Sequence, residues 1–585
     1  MRPLEGCGLC VLDATQGETG AAAVRILAQL GARVAPCDRS ARRRERTTAE
    51  GHADLLVIDG TPAGRLDDPA HDSGARTILT LTPMGPAPSS RGGGLCSVAG
   101  IRLDAGVPAL LTAAHGVAAA LAALRLPVDP ARARQVEVSA LEVIVHCLGD
   151  ELPRALCPRW TNVGTEDRPA RTMIVSCADG FVGIAVPTTD HREYLARFLG
   201  VRGPSADLEE ATRGWARGQK RREAAAALQL WRIPAVPVLS PQEAAGNSAG
   251  NAGPDREARH SGPAQYTPRP KRLKRAIGAE ALPRPLADLR VLDLGVIWAG
   301  PYAGRLMAAL GARVLKIERP DGMGGGGGSC PGAAGDLNAG KASLAVDLRQ
   351  PAGRAALRSL AAQADVLVEN FSPRVMPNFD LPPAALAEIN PRLITLSMPA
   401  FEPASRWGNY TCLGSLMELA AGLWSLGARG EPRTAPVPYL DYLSGALGAC
   451  AALAAILARD RTGRGGHLCV PQYDVARELL RDGSPPDQRG DALAMDPRAI
   501  AGIAAMASSG FIRIGQDDAS GPCHHFKRPP WTISGLPAIS EPWELTDGRD
   551  PARALLAWGG PSSRGVDALL QEHCVGEPGR SRSAG

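Results

Sequence analysis

Aromatic side chains are scarce in this chain of 585 residues, since Phe, Trp and Tyr together make up 4% of it. The hydrophobic cores must therefore be built mainly from Ala, Leu and Val. A large excess of charge of one sign is lacking too, because the formal net charge is only +5. A chain of this size that binds nucleic acid through a basic surface usually carries a larger excess. We therefore expect no nucleic-acid partner.

Long apolar runs and a leading signal pattern are also missing. The Ala-rich stretches Leu110–Leu124 and Ala446–Ala458 are short and contain Gly, which favours buried helices over membrane spans. The 13 cysteines are odd in number and scattered, a pattern typical of reduced thiols. We expect a cytoplasmic protein with no membrane association and no metal site.

One segment occurs twice in the chain. Leu9–Val34 aligns without a gap to Leu289–Val314, and Ala114–Glu142 aligns more weakly to Ala446–Asp474. The offset grows from 280 to 332, so about 52 residues of the second copy have no counterpart in the first. A repeat this long predicts two related domains rather than a solenoid.

The second copy has the pattern of a parallel α/β sheet. Leu289–Leu294 is a short apolar run, a helix is predicted from Ala299 to Leu310, and Arg313–Glu318 is the next strand. Further strands are predicted at Val366–Asn370 and Leu393–Ser397. The fold class is therefore α/β with doubly wound, Rossmann-like parallel sheets in two related halves, and a small α+β domain.

The predicted division of the chain follows from these patterns. The Gly-, Pro- and charge-rich stretch between the halves is interpreted as a solvated linker. The six segments are an abbreviated α/β half (1–150), a small α+β domain (151–242), the linker (243–285), a large α/β domain (286–478), a reduced C-terminal part (479–575) and a disordered tail (576–585).

Asp441 is the strongest candidate for chemistry. It lies where the segment that begins at Pro436 enters an Ala- and Leu-rich helix. Free backbone N–H groups at such a position favour an ionised carboxylate, and spacing alone leaves a plain N-cap role open. The equivalent residue of the first copy is Ala109, so that copy lacks the acid.

An ordered series of segments in the second copy resembles the class III CoA-transferases, the CaiB/BaiF family. The matching segments are Leu289–Leu294, Ala299–Pro301, Gly311–Pro320, Asn338–Leu348, Ala364–Phe371, Asn390–Ile394, the segment around Asp441 and Arg461–Gly465. The first copy resembles the same family in abbreviated form, and 179–238 resembles its small domain.

The resemblance implies a function. Asp441 matches the catalytic aspartate, which attacks an acyl-CoA thioester and carries CoA to an acceptor carboxylic acid through anhydride and aspartyl-CoA intermediates. Arg319 matches a CoA-contacting position, and Lys341, Trp298 and Gly300 are further candidates for CoA binding. The implied partners are an acyl-CoA and a carboxylate, with CoA as substrate. Because the family forms interlocked dimers, the two halves are predicted to pair within the chain, and a homodimer of such chains stays open.

The chain departs from the family pattern near the site. The family's Tyr-Glu pair falls at Leu413 and Gly414, and Glu418, the nearest acid, is interpreted as an ordinary helix residue. Two alternatives remain: a non-catalytic protein that binds CoA esters or a partner, and an isomerase like α-methylacyl-CoA racemase. The second is disfavoured because no histidine occurs between His260 and His467.

Overall fold

A computed structural model gives the fold of the chain. The structure describes residues 2–5, 7–36, 53–59, 75–82, 106–127, 132–147, 171–201, 207–246, 264–269, 284–320, 337–426, 430–435, 437–480, 512–517, 521–526, 529–534, 536 and 551–559. The predicted tail, 576–585, and a Gly-rich run at Gly324–Gly328 lie outside these residues.

The first 150 residues form a parallel sheet. Its strands are β1 (Cys10–Asp13), β2 (Arg33–Pro36), β3 (Leu55–Asp59), β4 (Thr77–Thr82) and β5 (Arg134–Ser139), in the order β2-β1-β3-β4-β5. Helices α1 (Glu18–Gln29), α2 (Gly106–Ala123) and α3 (Ala140–His146) accompany it. Leu55, Leu56 and Val57 are fully buried, as expected for a strand covered on both faces.

A small α+β domain follows, as predicted from its alternating strand and helix patterns. The three strands β6 (Arg171–Cys177), β7 (Gly180–Val186) and β8 (Ala235–Pro237) form an antiparallel sheet. The helices are α4 (Thr189–Leu199), α5 (Leu208–Ala216), α6 (Arg221–Leu230) and α7 (Pro241–Ala245). Apolar residues such as Val182, Ile184 and Leu228 form its own core.

The second half repeats the first sheet and extends it. Its parallel strands are β10 (Arg290–Asp293), β11 (Arg313–Glu318), β12 (Lys341–Ala345), β13 (Val366–Glu369), β14 (Ile394–Ser397) and β17 (Gly466–Cys469), in the order β12-β11-β10-β13-β14-β17. Strands β15 (Ser425–Leu426) and β16 (Pro432–Arg433) form a separate two-stranded ribbon. The helices are α8 (Ala299–Ala309), α9 (Pro351–Ala361), α10 (Val375–Asn378), α11 (Pro383–Ile389), α12 (Gly414–Ala421), α13 (Tyr439–Thr462) and α14 (Gln472–Leu479).

The strand order confirms the internal duplication. The sequence β2-β1-β3-β4-β5 of the first sheet corresponds to β11-β10-β13-β14-β17 of the second. The offset grows from 280 at β1 and β10 to 311 at β3 and β13, where Leu55 is equivalent to Val366, so 31 of the missing residues fall in the region of β12. Strand β12 has no partner among the described strands of the first sheet. Gly31 and Gly311 end equivalent helices with φ near +100°, a conformation that favours glycine.

The two halves exchange strands at the edges of their sheets. Strand β9 (Gln265–Pro268) follows the small domain of the first half, yet it pairs antiparallel with β17 of the second sheet. Strand β20 (Trp531–Ile533) lies near the C-terminus, yet it pairs antiparallel with β5 of the first sheet. One edge strand of each sheet therefore comes from the segment that follows the other sheet in the sequence.

This exchange corrects the prediction that 243–285 is a solvated linker. In addition to β9, Arg269 is buried: its backbone N–H bonds to Gly465 O, and its guanidinium donates to Leu386 O and Asn390 O. Sequence patterning missed this strand because it is only four residues long and follows a Gly- and Pro-rich stretch.

The reduced C-terminal part is an element of both halves rather than a separate unit. A hairpin, β18 (Ile512–Asp517) and β19 (Gly521–Phe526), follows α14 in the sequence, as β6 and β7 follow α3 in the first half. The final helix, α15 (Pro551–Gly559), packs against β11 and β12, and Trp558 Nε1 donates to Val291 O.

The two long Ala-rich helices lie at the centre of the molecule. Helix α2 packs against α13, and Cys450 Sγ donates to Ala114 O between them. The helices have 18 and 24 residues, and both could cross a membrane by length and composition. They are therefore longer than the sequence predicted, and their length alone does not exclude a membrane span. They are, however, 94% and 100% buried within the protein, which is typical of core helices.

Candidate active site

The candidate site lies beyond the carboxyl ends of the second sheet's strands, where parallel α/β sheets commonly bind ligands. The chain leaves β10 through a tight turn and enters α8 at Trp298. In this turn Ile297 has φ of +64°, which is strained for a β-branched residue. The strained turn aims the Trp298 ring at Tyr442, with 6.1 Å between ring centroids. Strain of this kind tends to collect at functional sites.

Asp441 is buried in the first turn of α13. It is the third residue of the helix and not its N-cap, which is Pro438 and makes no side-chain cap bond. Its side chain is 8% exposed, and burial raises the pKa of this carboxyl from 3.8 to about 7. Burial therefore opposes the ionisation that the helix start favours, so that Asp441 is partly protonated and partly ionised near neutral pH.

Gly414 allows the carboxyl of Asp441 to reach the start of helix α12. A Cβ at Gly414 would lie 2.8 Å from Asp441 Cγ and closer still to Oδ2. Any side chain at this position would displace Asp441. In addition, Gly414 and Ser415 carry two of the first-turn N–H groups of α12, which an α-helix leaves without internal acceptors. The site therefore has backbone donors beside its carboxylate.

A second buried carboxyl, Glu418, lies one turn along α12 from Gly414. Its Oε2 accepts the N–H of Ala435, in the segment that leads to α13, at 3.2 Å. Burial raises the pKa of Glu418 well above its usual range, and the charge of Asp441 raises it further. Glu418 is thus more than an ordinary helix residue, since it ties α12 to the chain entering the Asp441 helix.

The small domain of the first half packs directly against α12. Gly183 of β7 lies against Leu416 and Leu419, so that a Cβ there would come within 3.1 Å of the Leu416 side chain. Thr172 and Ser415 hydroxyls are 2.8 Å apart. Both halves of the chain therefore build the surroundings of Asp441.

A polar cluster joins the halves on the other side of Tyr442. Tyr302 of α8 packs edge-on against Tyr442 at 4.7 Å, and its hydroxyl lies 2.7 Å from His115 Nε2 and 2.8 Å from His146 Nδ1. His115 Nδ1 lies 2.7 Å from Leu111 O and must donate to it, so Nε2 accepts from the Tyr302 hydroxyl. Burial lowers the pKa of His115 to about 4, which keeps the imidazole of His115 neutral near pH 7.

Lys341 does not lie where CoA phosphates could reach it. Its side chain is fully buried, with Nζ 2.6 Å from Asp293 Oδ2, 2.7 Å from Pro301 O and 3.0 Å from Asn338 Oδ1. Lys316 Nζ lies 3.5 Å from the other oxygen of Asp293. This buried ion pair holds the strand ends and α8 together, which contradicts the expectation of a phosphate-binding role.

Gly300 and Arg319 complete the predicted residues. A Cβ on Gly300 would lie 2.8 Å from Gly295 Cα and 3.0 Å from Asn370 Oδ1, so a glycine at this position permits close packing in the turn. Arg319 is exposed immediately after β11, near Asp347. Its contact with CoA stays a prediction. The described residues contain no group of three or more His, Cys, Asp or Glu that could hold a metal ion.

Sequence reasoning named Gly414 and Glu418 without giving either a role in the site, and it missed Ile297. The positive φ of Ile297 leaves no mark in a single sequence, because the residue type argues against it. The sequence did carry a signal for Glu418, because an acid at the fifth position of an otherwise apolar helix is expected to be buried with it. Glu is rarely buried unless its side chain has a partner.

Comparison with known proteins places these features in a family. The model of CoA-transferase family III matches residues 90–276 and 286–485, together more than half of the chain. The first match covers the later part of the first copy and the small domain, and the second match covers the second copy.

Similar proteins of known name are CoA-transferases. A succinate–glutarate CoA-transferase of Agrobacterium fabrum is 30% identical over 231 residues, covering 36% of this chain and 58% of the relative. A succinyl-CoA:mesaconate CoA-transferase of Haloarcula hispanica is 35% identical over 237 residues, covering 35% and 58%. An acetyl-CoA:oxalate CoA-transferase of Acetobacter aceti is 32% identical over 209 residues, covering 34% and 53%.

The chain spans little more than half the length of these relatives. Among solved structures, a CaiB/BaiF family protein from Brucella suis is 30% identical, with a TM-score of 0.32 over 34% of this chain and 56% of that one.

Proposed function

The chain belongs to CoA-transferase family III, and we propose that it moves CoA from an acyl-CoA thioester to a carboxylic acid through covalent intermediates on Asp441. The observation that carries this proposal is the buried carboxyl of Asp441, placed beside the first-turn N–H groups of α12 by a glycine. The reaction needs no metal, and we propose that it takes place in the cytoplasm.

The proposed reaction has four balanced steps. The Asp441 carboxylate attacks the thioester carbonyl, the C–S bond breaks, and CoA leaves as thiolate from a mixed anhydride. The thiolate attacks the aspartyl carbon, releasing the donor acid and forming aspartyl-CoA. The acceptor carboxylate displaces the thiolate to give a second anhydride, and the thiolate then attacks the acceptor's acyl carbon. Asp441 is restored as a carboxylate.

Burial suits Asp441 to this chemistry. An ionised carboxylate held out of water is a stronger nucleophile, and a pKa of about 7 keeps a large part of it ionised near neutral pH. Each step passes through a tetrahedral oxyanion, for which the N–H groups of Gly414 and Ser415 are candidate donors. The surroundings favour an apolar acyl group, because Trp298 and Tyr442 pack nearby and no cation shifts the pKa of Asp441 within the described part of the chain.

Both halves are needed for the proposed site. The second half supplies Asp441, whereas Ala109 occupies the equivalent position in the first. The first half supplies the complete small domain that packs on α12. We propose that the two halves of this chain replace the two subunits of a dimer in forming one site. Linking the halves in one chain raises their effective concentration, which favours this pairing.

Trapping the acyl-enzyme tests the proposal. The protein is incubated with a medium-chain acyl-CoA and hydroxylamine, digested, and searched by mass spectrometry for a hydroxamate on the peptide that carries Asp441. We expect a hydroxamate in the native protein and none in Asp441→Asn. The control Asp460→Asn changes an acid near the other end of α13 and should still form the adduct.

The same experiment separates the alternatives. A protein that binds CoA esters tightly, yet forms no hydroxamate with any acyl-CoA, would be a binding module. Incorporation of deuterium at the α-carbon of a branched acyl-CoA, without exchange of CoA between acids, would indicate an isomerase.

A further inference from the structure

One buried hydroxyl close to the candidate site has no hydrogen-bond partner among the described residues. Ser444 lies in α13 and is fully buried, yet its Oγ makes no hydrogen bond with any residue that the structure describes. A buried polar group without a partner lowers the stability of the folded protein. Such groups are rare in folded proteins, and a role in catalysis is one of the reasons for which they are retained.

Other fully buried hydroxyls in helices of this chain are satisfied. Thr112 Oγ1 in α2 donates to Pro108 O at 2.7 Å. Thr212 Oγ1 in α5 donates to Leu208 O. In both cases the acceptor is the carbonyl four residues earlier, which is the usual local acceptor for a hydroxyl inside a helix. Ser444 does not use this acceptor, so its hydroxyl is available to another partner.

Ser444 shares a face of α13 with Asp441. Side chains three residues apart in a helix are neighbours, with roughly 5 to 6 Å between their Cβ atoms. Gly445 and Gly448 continue the same face, four and seven residues after Asp441. This face packs closely, since a Cβ on Gly445 would lie 2.7 Å from Ala299 O at the start of α8. The carboxyl and the hydroxyl are therefore enclosed together on one side of the helix.

The proposed reaction needs a hydrogen-bond donor beside Asp441. In its second step the CoA thiolate forms a bond to the aspartyl carbon of the anhydride, and an electron pair of the C=O bond moves to the aspartyl oxygen. The C=O bond then forms again, the bond to the donor acid breaks, and the acid leaves as a carboxylate. In the third step the acceptor carboxylate attacks the same carbon and the thiolate leaves. Negative charge therefore develops twice on an oxygen of the Asp441 side chain.

We propose that Ser444 is a further catalytic residue, whose hydroxyl donates a hydrogen bond to the Asp441 oxygen that becomes negatively charged in these two steps. This role rests on the proposed function. The hydroxyl keeps its proton throughout, so no atom passes to or from Ser444. Because no described residue accepts this hydrogen bond in the free protein, the bond is gained only as the covalent states form. Such a bond raises the rate of reaction without tightening the binding of the acyl-CoA.

Mass spectrometry of the intact chain after rapid quenching tests this role. The protein is mixed with octanoyl-CoA, and the fraction of chains that carry covalently bound CoA is followed with time. A second mixing with hexanoate follows the loss of this CoA. In Ser444→Ala we expect both rates to fall about tenfold, because one hydrogen bond to an oxyanion is lost. The octanoyl-CoA concentration that gives the half-maximal rate should stay within about twofold.

Urea denaturation separates this catalytic role from a structural one. Removing a buried hydroxyl that has no partner relieves an unfavourable burial, so Ser444→Ala should unfold at the same urea concentration as the native protein or at a higher one. Thr212→Ala is the matched control, because it removes a buried helical hydroxyl that has a partner. This control should unfold at a lower urea concentration than the native protein, yet acquire and lose CoA at the native rates.

The outcomes distinguish the role of Ser444 from the proposed function. A native protein that acquires no covalent CoA would overturn both. Covalent CoA that appears and disappears at the native rates in Ser444→Ala would overturn the role of Ser444 and retain the transferase. A loss of stability in Ser444→Ala as large as that in Thr212→Ala would also overturn this role, because the hydroxyl would then have a structural partner in the free protein.

Discussion

At the scale of single residues, Asp441 couples reactivity to stability. Its pKa in the folded protein is about 7, against 3.8 for the free carboxyl, so the folded state binds the extra proton between these values. The contribution of Asp441 to folding stability therefore falls as pH rises from about 4 to about 7 and is constant above that. Holding an ionised carboxylate in this buried position therefore lowers the stability of the folded protein.

We expect Asp441→Asn to unfold at higher urea concentration than the native protein at pH 8. The gain should be on the order of 2–4 kcal/mol, and it should shrink toward zero at pH 4, because the native carboxyl is then protonated. Urea denaturation of both proteins across this range measures it. A pH-independent difference would show that Asp441 has an ordinary pKa.

The rate of acyl-enzyme formation should follow the same titration. Since only the carboxylate is nucleophilic, hydroxamate trapping in the native protein should rise with pH to a midpoint near 7. A rate already at its maximum at pH 5 would contradict this prediction.

Position 414 has no room for a side chain, because a Cβ there would clash with the Asp441 carboxyl. Gly414→Ala places a methyl group against Asp441, and we expect adduct formation to slow about 100-fold, because small displacements of reacting groups cost this much. Gly214→Ala, in helix α5 with open space around it, is the matched control. A Gly414→Ala protein with native circular dichroism and native rate would show that Asp441 does not act from this position.

At the scale of elements, Arg125 fastens the first half to the second. Its guanidinium pairs with both oxygens of Asp288 at 2.9 Å and with Asp460 Oδ2 at 2.9 Å, and its side chain is 3% exposed. Arg125 follows α2, whereas Asp460 lies in the last turns of α13. The ion pairs therefore fix the ends of the two central helices against each other.

Arg125→Met should lower the free energy of unfolding by about 2–4 kcal/mol, because two carboxylates lose a buried partner. Arg76→Met, which removes a surface pair of 3.7 Å with Asp54, should change it by about 0.5 kcal/mol or less. Chemical denaturation at one pH compares the variants. Equal effects would mean that solvent replaces Arg125 easily.

At the scale of the whole molecule, the exchanged strands β9 and β20 interlock the halves. Each sheet holds a strand from the other half's sequence, in addition to the packing of α2 on α13. The fold thereby forms an internal pair in which neither sheet is complete without the opposite half.

Cutting the chain between the halves should therefore leave them associated. A protease site inserted within residues 270–283, after β9, is used to cleave the protein, so that β9 stays with the first half and β20 with the second. We expect both fragments to elute together in gel filtration and to separate in urea. Fragments that separate in native buffer would show that the exchanged strands contribute little to association.

Much of this arrangement was predictable from the sequence. The strands of the second sheet and its first helix follow from apolar runs and punctuating glycines, and β11 begins and ends where predicted. The repeat predicted that two equivalent sheets exist, and the family-like segments singled out Asp441 before any contact was visible.

Contacts between distant segments were not predictable in the same way. Lys341 is of a residue type that commonly binds phosphate, yet its ammonium group is buried and donates to three oxygen atoms of the protein. The strand at Gln265–Pro268 has too few residues to produce a pattern, and its partner lies about two hundred positions away. Such facts depend on pairwise proximity, which single-sequence periodicity does not contain.

The sequence by itself determined the parallel α/β class, the duplication and the acid that one copy retains, because these depend on local periodicity and residue identity. Only the tertiary structure decided the protonation of Asp441, the burial of Lys341 and the exchange of strands between the halves. The physical reason is that desolvation, ion pairing and the pairing of edge strands depend on neighbouring residues that come from distant parts of the sequence.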